Sequence, residues 1–195
     1  MGRKPLGRPR DPERHRAVLK AAADLLVERG YEAMTLSEVA SKAGVGRPLI
    51  YQWWGSKAAL VQEVLFRMPE GVKRTLAPGA GFAEIVAALI SEMVDLHSRP
   101  EFRRGLPGLI SDMVGDPELQ KVTEERFIAP LRARYVELFD RAKAEGVVRP
   151  DIDGGAVLDT LRGAAMFHTL VHPMENPEAL VEHLTTLVLD GVRVA

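Results

Sequence analysis

The sequence predicts an all-α fold in two unequal parts, a compact N-terminal unit of short helices and a longer helical region behind it. Three observations lead there. Apolar residues recur three and four apart along most of the chain. Ala, Leu, Glu and Arg abound while long Val/Ile/Thr runs are missing, which favours helix over strand. Gly and Pro punctuate the pattern at helix-length intervals. With 195 residues, of which 46% are hydrophobic and 27% charged, the chain has the composition of a soluble globular protein with a real core.

Composition also removes whole classes of function. No Cys is present, which excludes a disulfide framework, a thiolate zinc site and a cysteine nucleophile. No apolar run approaches the ~20 residues of a membrane span and no signal region opens the chain, so the expectation is a cytoplasmic protein with no membrane partner. The net charge of −1 hides an asymmetry. Residues 1–57 hold 11 Lys/Arg against 6 Asp/Glu, and residues 58–195 hold 15 against 21. A basic end that meets a polyanion and an acidic body that does not would be built this way.

The elements run in order along the chain. Residues 1–12, rich in Pro, Gly and Arg, read as a flexible basic arm. A first helix runs from Pro12 to Arg29 on an apolar face of Val18, Ala21, Ala22, Leu25 and Leu26, and Gly30 ends it. Thr35-Leu36-Ser37-Glu38 is a capping box that opens a short second helix, 36–43. Gly44-Val45-Gly46 breaks it, and a third helix with Pro48 in its first turn runs to Trp54. Gly55 stops that helix, and Ser56 caps a fourth, 57–67. The domain spanning 13–67 shares this fourth helix with a second domain, 68–195. Pro69, Gly71, Pro78, Gly79 and Gly81 mark the boundary between the two. Helical stretches are expected at 82–98, 101–114, 117–145, 154–172 and 177–193, with Asp116-Pro117, Asp153 and Asn176-Pro177 as starts and Arg99-Pro100 and Gly146 as breaks.

Helices two and three, joined by a glycine turn, have the helix-turn-helix arrangement, whose second helix lies in the DNA major groove. Tyr51-Gln52-Trp53-Trp54 puts four bulky residues in a row, and successive residues point about 100° apart, so they cannot all be core. Ile50 and Trp54 are assigned inward. Arg47, Tyr51 and Gln52 are assigned outward, with Trp53 at the rim. Arg47 can grip guanine with two bonds, Gln52 can pair with adenine, and Tyr51 and Trp53 can reach a thymine methyl or a phosphate. Thr35 and Lys57, at the starts of helices two and four, stand where free amides receive phosphates.

These residues resemble the tetracycline-repressor (TetR) family of bacterial transcription regulators. The resemblance runs from Arg14 to Leu65: an Ala-rich first helix, GYEAMTLSEVA at 30–40, AGV at 43–45, LIY at 49–51 and SKAAL at 56–60. It implies a three-helix DNA-binding head and a larger ligand-binding and dimerisation domain. It also implies groove contacts by Arg47, Pro48, Tyr51, Gln52 and Trp53 and phosphate contacts by Thr35 and Lys57. Leu49, where the family often has a hydroxyl residue, and the Trp53-Trp54 pair depart from its pattern.

Outside the head the residues are less specific. Gly7-Arg8-Pro9 in the arm is similar to cores by which DNA-binding tails enter the minor groove, which makes Arg8 and Arg10 candidates for DNA contact. Met93, His97, Met113, Phe127, Tyr135 and Phe167 interrupt helices of Leu, Val and Ala, where they either line a ligand cavity or fill the core. The first alternative implies an apolar or amphipathic small molecule. On the last two helices, Leu161, Ala165, His168, Leu184 and Val188 are candidates for a four-helix dimer interface.

His168 and His172 have metal-ligand spacing without a third ligand, and Asp151-Ile152-Asp153-Gly154 starts like a calcium loop but lacks the Glu at position twelve. No metal or cofactor is expected. No phosphate loop, dinucleotide fingerprint or Ser/His/Asp constellation supports an enzyme. The expectation is a ligand-responsive repressor that binds a palindromic operator in double-stranded DNA as a homodimer. A constitutive DNA-binding protein, or an enzyme with a docking head, is the alternative. Deleting residues 1–10 is expected to weaken DNA binding and to flatten its dependence on salt, measured by titration across a salt series. A deletion that changes neither leaves the arm a passive tail.

Overall fold

A computed structural model of the chain describes residues 11–67, 79–172 and 175–193. In chain order the helices are α1 (Pro12–Ala33), α2 (Leu36–Lys42), α3 (Arg47–Trp54), α4 (Lys57–Phe66), α5 (Phe82–Ser98), α6 (Pro100–Gly115) and α7 (Pro117–Thr123), then α8 (Ala129–Ala144), α9 (Gly154–Leu170) and α10 (Pro177–Val192). A π-helical turn, Glu124–Ile128, joins α7 to α8. No strand occurs among the described residues, and none of their helices is long and apolar enough to cross a membrane. Of the boundary residues, Pro69, Gly71 and Pro78 lie outside the described residues.

The caps form as the sequence dictates, because each is a bond within a few residues. Asp11 accepts from the amides of Glu13 and Arg14, Ser56 from Ala59, Asp116 from Glu118 and Leu119, Asp153 from Gly155 and Ala156, and Asn176 from Ala179. At Thr35 the capping box closes in both directions. Gly30 breaks α1 with φ 78°, yet the chain resumes one helical turn to Ala33 beyond the kink.

The stretch expected as one helix over 117–145 is interrupted. Pro130 has no N–H to donate and its ring would collide with the carbonyl four residues back. The helix widens instead, and the Ala129 amide reaches the Glu124 carbonyl, five residues away.

Two hydrophobic cores result. The first gathers α1, α2, α3 and α4 around Val18, Leu26, Ile50 and Leu60, and it does not stop there: Phe102, Leu106 and Leu109 of α6 and Leu119 of α7 belong to it. The second joins α5, α8, α9 and α10. Leu161, Ala165, Leu184 and Val188, expected at a dimer interface, lie in this second core and are buried within their own chain. Each helix is apolar on two sides, and the side that faces α5 is the one these residues occupy. The other side of α9 leaves Met166, Phe167 and Leu170 exposed on one stripe, and α10 leaves Leu187 exposed. His168 is half-buried.

α6 approaches the head closely because it carries glycine at the contact. A Cβ added at Gly108 would stand 2.2 Å from the Tyr31 ring, and one at Gly105 3.3 Å from Leu26 and Leu65. The Tyr31 hydroxyl donates to the Asp112 carboxylate of α6, and burial together with that bond pushes its pKa up. Gly108→Ala is expected to force Tyr31 off α6 and to destabilise the chain by about 1–3 kcal/mol in urea unfolding. An unchanged midpoint would mean the ring moves aside without cost.

Candidate nucleic-acid interface and internal cavity

Ile50, fully buried, pins α3 to the first core, and this fixes which side of the helix faces out. Arg47, Pro48, Tyr51 and Gln52 are exposed. The Arg47 guanidinium donates to the Tyr51 hydroxyl at 3.1 Å and lies 5.3 Å from the centre of its ring, so the two side chains hold each other on the surface. Half of the Lys and Arg residues of the head are tied to carboxylates: Arg14 to Asp11, Lys20 to Asp24, Arg29 to Glu38 and Lys42 to Glu28. Arg47 has no carboxylate partner among the described residues.

Trp53 stands at the rim of α3, as its place on the helix implies, while Lys57 and Thr35 are engaged within the head. Trp53 is half-buried, its ring 5.8 Å from that of His15 and 5.5 Å from that of Trp54. Lys57 turns toward the end of α1: its ammonium donates to the Tyr31 carbonyl at 3.0 Å and sits 4.3 Å over the Tyr31 ring. The exposed Thr35 hydroxyl donates to Glu38 at 2.8 Å, and the bonds from Thr35 hold the Glu38 carboxyl below the usual carboxylate range. Thr35 must give up that bond to serve a phosphate. Arg8 and Arg10 lie outside the described residues.

The inner end of α3 is held by a buried carboxylate. Glu63 of α4 is only 5% exposed. The Trp54 indole N–H donates to its Oε2 at 2.8 Å. His15 Nε2 stands 3.2 Å from Oε1, within ion-pair reach though off the hydrogen-bond line, and its ring stacks on Trp54 at 5.1 Å. Arg126, in the π-helical turn, reaches Oε2 at 3.8 Å. The roles of Glu63 and Arg126 do not show in the sequence, since their contacts join residues far apart in it.

Behind α4 lies an internal cavity of about 220 Å³. Met93, His97, Phe127 and Tyr135 line it together. Met113 lines an adjoining cavity of about 770 Å³, more open to solvent, and the two share Phe66, His97, Ile128 and Arg162 as common wall. Phe167 lines neither: it is 54% exposed on the outer side of α9. Burial is the main reason that His97 titrates below the ordinary histidine value, and its Nδ1–H donates to the Met93 carbonyl at 2.9 Å. It is therefore neutral at neutral pH. Sequence reasoning missed Phe66 and Arg162. Arg162 carried a signal, as the single cation in the helix GGAVLDTLRGAAMFHTL.

Comparison with known proteins agrees with this geometry. Residues 18–64 match the family described as bacterial regulatory proteins, tetR family, and residues 83–188 match the tetracyclin repressor-like C-terminal domain. The chain is 29% identical over 191 residues to the uncharacterised HTH-type transcriptional regulator YdeS of Bacillus subtilis, covering 96% of this chain and 93% of YdeS. It is 42% identical over 72 residues to the transcriptional activator FasR of Mycolicibacterium smegmatis, which is 35% of this chain and 32% of FasR. The crystal structure of the TetR family regulator SCO0332 superposes with a TM-score of 0.68 at 30% identity, covering 93% of this chain and all of that one.

Trp54→Phe keeps an aromatic ring against His15 but removes the indole N–H from a buried carboxylate. It is expected to lower stability by about 1–3 kcal/mol in denaturant unfolding. A midpoint equal to the wild type would show that Glu63 is satisfied without it.

Proposed function

Since this chain belongs to the tetR family of bacterial regulatory proteins, we propose that it is a ligand-responsive repressor that binds a palindromic operator as a homodimer. One observation carries the DNA-reading part: α3 is pinned by Ile50 and offers Arg47, Tyr51 and Gln52 on its free side, with no carboxylate beside Arg47 among the described residues. That pattern suits guanine and adenine edges in the major groove. Arg47 turns from Tyr51 to the base as α3 enters.

The dimer rests on the exposed side of α9. Phe167 and Leu170 fall three apart there, beside Met166 and Gly163, which also border the more open cavity. Together with Leu187 of α10, which is 57% exposed, they form apolar surface that a second copy would cover. A twofold arrangement of two heads then requires an inverted-repeat operator.

The cavity supports response to a small molecule over constitutive binding. Its wall residue Phe66 lies on α4, three residues after Glu63, and its ring is 5.6 Å from that of Phe127. Phe127 follows Arg126, which reaches Glu63, which holds Trp54 of α3. A ligand that spreads Phe66 from Phe127 therefore acts on both residues that fix the inner end of the reading helix. It releases DNA if it binds better to the arrangement with the wrong head spacing.

Selection of bound fragments from random DNA by the purified protein tests the reading. An inverted repeat is expected, and Arg47→Ala is expected to relax one base position in each half-site by about 1–3 kcal/mol. No enrichment, with binding that vanishes at moderate salt, would leave only phosphate attraction and overturn the specific repressor.

A further inference from the structure

Arg162 is the anomaly of the cavity. It lines both cavities, and the only other charged residue that α9 brings to them is Asp159. Arg162 is partly buried, and loss of water pulls its pKa below the ordinary arginine value. Among the described residues its guanidinium has no hydrogen bond and no ion pair. Asp159, one turn earlier on α9, is engaged by Arg132 at 2.7 and 2.8 Å. His97, on the opposite wall, is neutral and makes no demand on it. Asp159 and Glu124 act on it only through space, and a partly buried cation without a hydrogen bond is a group that a ligand can pair with.

The charge around the cavities limits what that ligand is. Arg134 and Lys121 stand at the walls against Glu92 and Glu124. In the smaller cavity alone, Arg134 and Arg162 face a single carboxylate, Glu92, so one positive charge is left over. A monoanion balances that cavity, whereas a dianion would leave it net negative. The planar guanidinium fork fits the two oxygens of a carboxylate. Phe66, Met93, Phe127 and Leu158 surround the remaining space with apolar surface.

We propose that Arg162 is the receptor for the anionic head of the effector, and that the effector is an amphipathic monocarboxylate whose apolar body fills the cavity between Phe66 and Phe127. This rests on the reading of the cavity as the effector site. The carboxylate satisfies the guanidinium while the body moves the two phenylalanines.

The test uses the full-length protein and two pairs of probes: decanoate with decan-1-ol, and 1-naphthylacetate with 1-naphthylacetamide. Binding is measured by calorimetry, and release of the selected operator DNA is followed in parallel. At least one carboxylate is expected to bind roughly tenfold or more tighter than its uncharged partner, the range a charge-assisted bond supplies. Arg162→Met is expected to erase that preference while leaving the uncharged probe within about twofold, a range that falls inside ordinary non-additivity. Arg162→Lys is expected to keep part of the preference. Without ligand, Arg162→Met is expected to hold or raise Tm, by up to about 2–4 °C, because it removes an unpaired cation.

The proposal is overturned if neither carboxylate outbinds its partner, if the preference survives in Arg162→Met, or if that variant loses stability without ligand. The parallel readout separates the two readings. Release of DNA by the uncharged probes as readily as by the carboxylates would keep the responsive regulator and sink the anion receptor. Carboxylate binding through Arg162 with no release of DNA would keep the receptor and sink the responsive regulator.

Discussion

A carboxylate withdrawn from water demands partners, and Glu63 draws them from three separate parts of the chain: a hydrogen bond from Trp54 at the end of α3, and His15 in α1 and Arg126 in the π-helical turn within ion-pair reach. The position of the reading helix depends on this demand. Ile50 fixes the face of α3, but α3 has only eight residues and one fully buried anchor. Its far end is fixed by an indole that must stay within bonding distance of Glu63. The charge is also what makes the arrangement conditional. Apolar packing yields gradually as groups slide, whereas a buried charge that loses a donor costs several times a lost methyl contact. Small displacements of α4 or of the π-helical turn thus reach α3 with little attenuation.

The same constraint explains why the border between the two domains is a packed one. Leu26 and Leu65 of the head meet Gly105 of α6, and Tyr31 lies on Gly108 and bonds Asp112. Gln62 of α4 donates to Thr123 at the end of α7. Close packing of this kind resists gradual loosening, so a shift at one side of the border is carried to the other. The π-helical turn is the weak place in this border. Pro130 forbids regular helix there, so the turn can rearrange without breaking a full ladder of bonds, and Arg126 and Phe127 both sit on it.

What the sequence made legible was local. Thr35, Ser56, Asp116, Asp153 and Asn176 cap helices through bonds that span two or three residues, so residue type and spacing suffice. The outward face of α3 was legible because four bulky residues in a row cannot share one side of a helix. The rest needed the third dimension. Lys57 has the position of a phosphate ligand but meets the Tyr31 carbonyl, a residue 26 places earlier. Leu161 and Phe167 both lie on apolar sides of α9, and only the location of α5 decides which is core and which is surface. The break at 124–128 was written in Pro130, but a proline in a helical pattern does not reveal whether it kinks, stops or widens the helix.

The position of Arg162 joins the two halves of the mechanism. α9 carries the guanidinium and Met166 on the side of the more open cavity and turns Phe167 and Leu170 outward beyond them, while Ala165 is locked in the core. A helix held by a buried alanine cannot rotate one face independently of the other. An anion seated on Arg162 therefore biases the same rigid element that would meet the second subunit, while its apolar body bears on Phe66 and the Glu63 group. Linkage then binds the two sites in both directions: whatever factor the effector takes from operator affinity, the operator takes from effector affinity. An arginine that makes no hydrogen bond among the described residues favours that coupling. The energy withheld in the free protein is recovered when the anion binds, and it is available to shift the balance between head spacings.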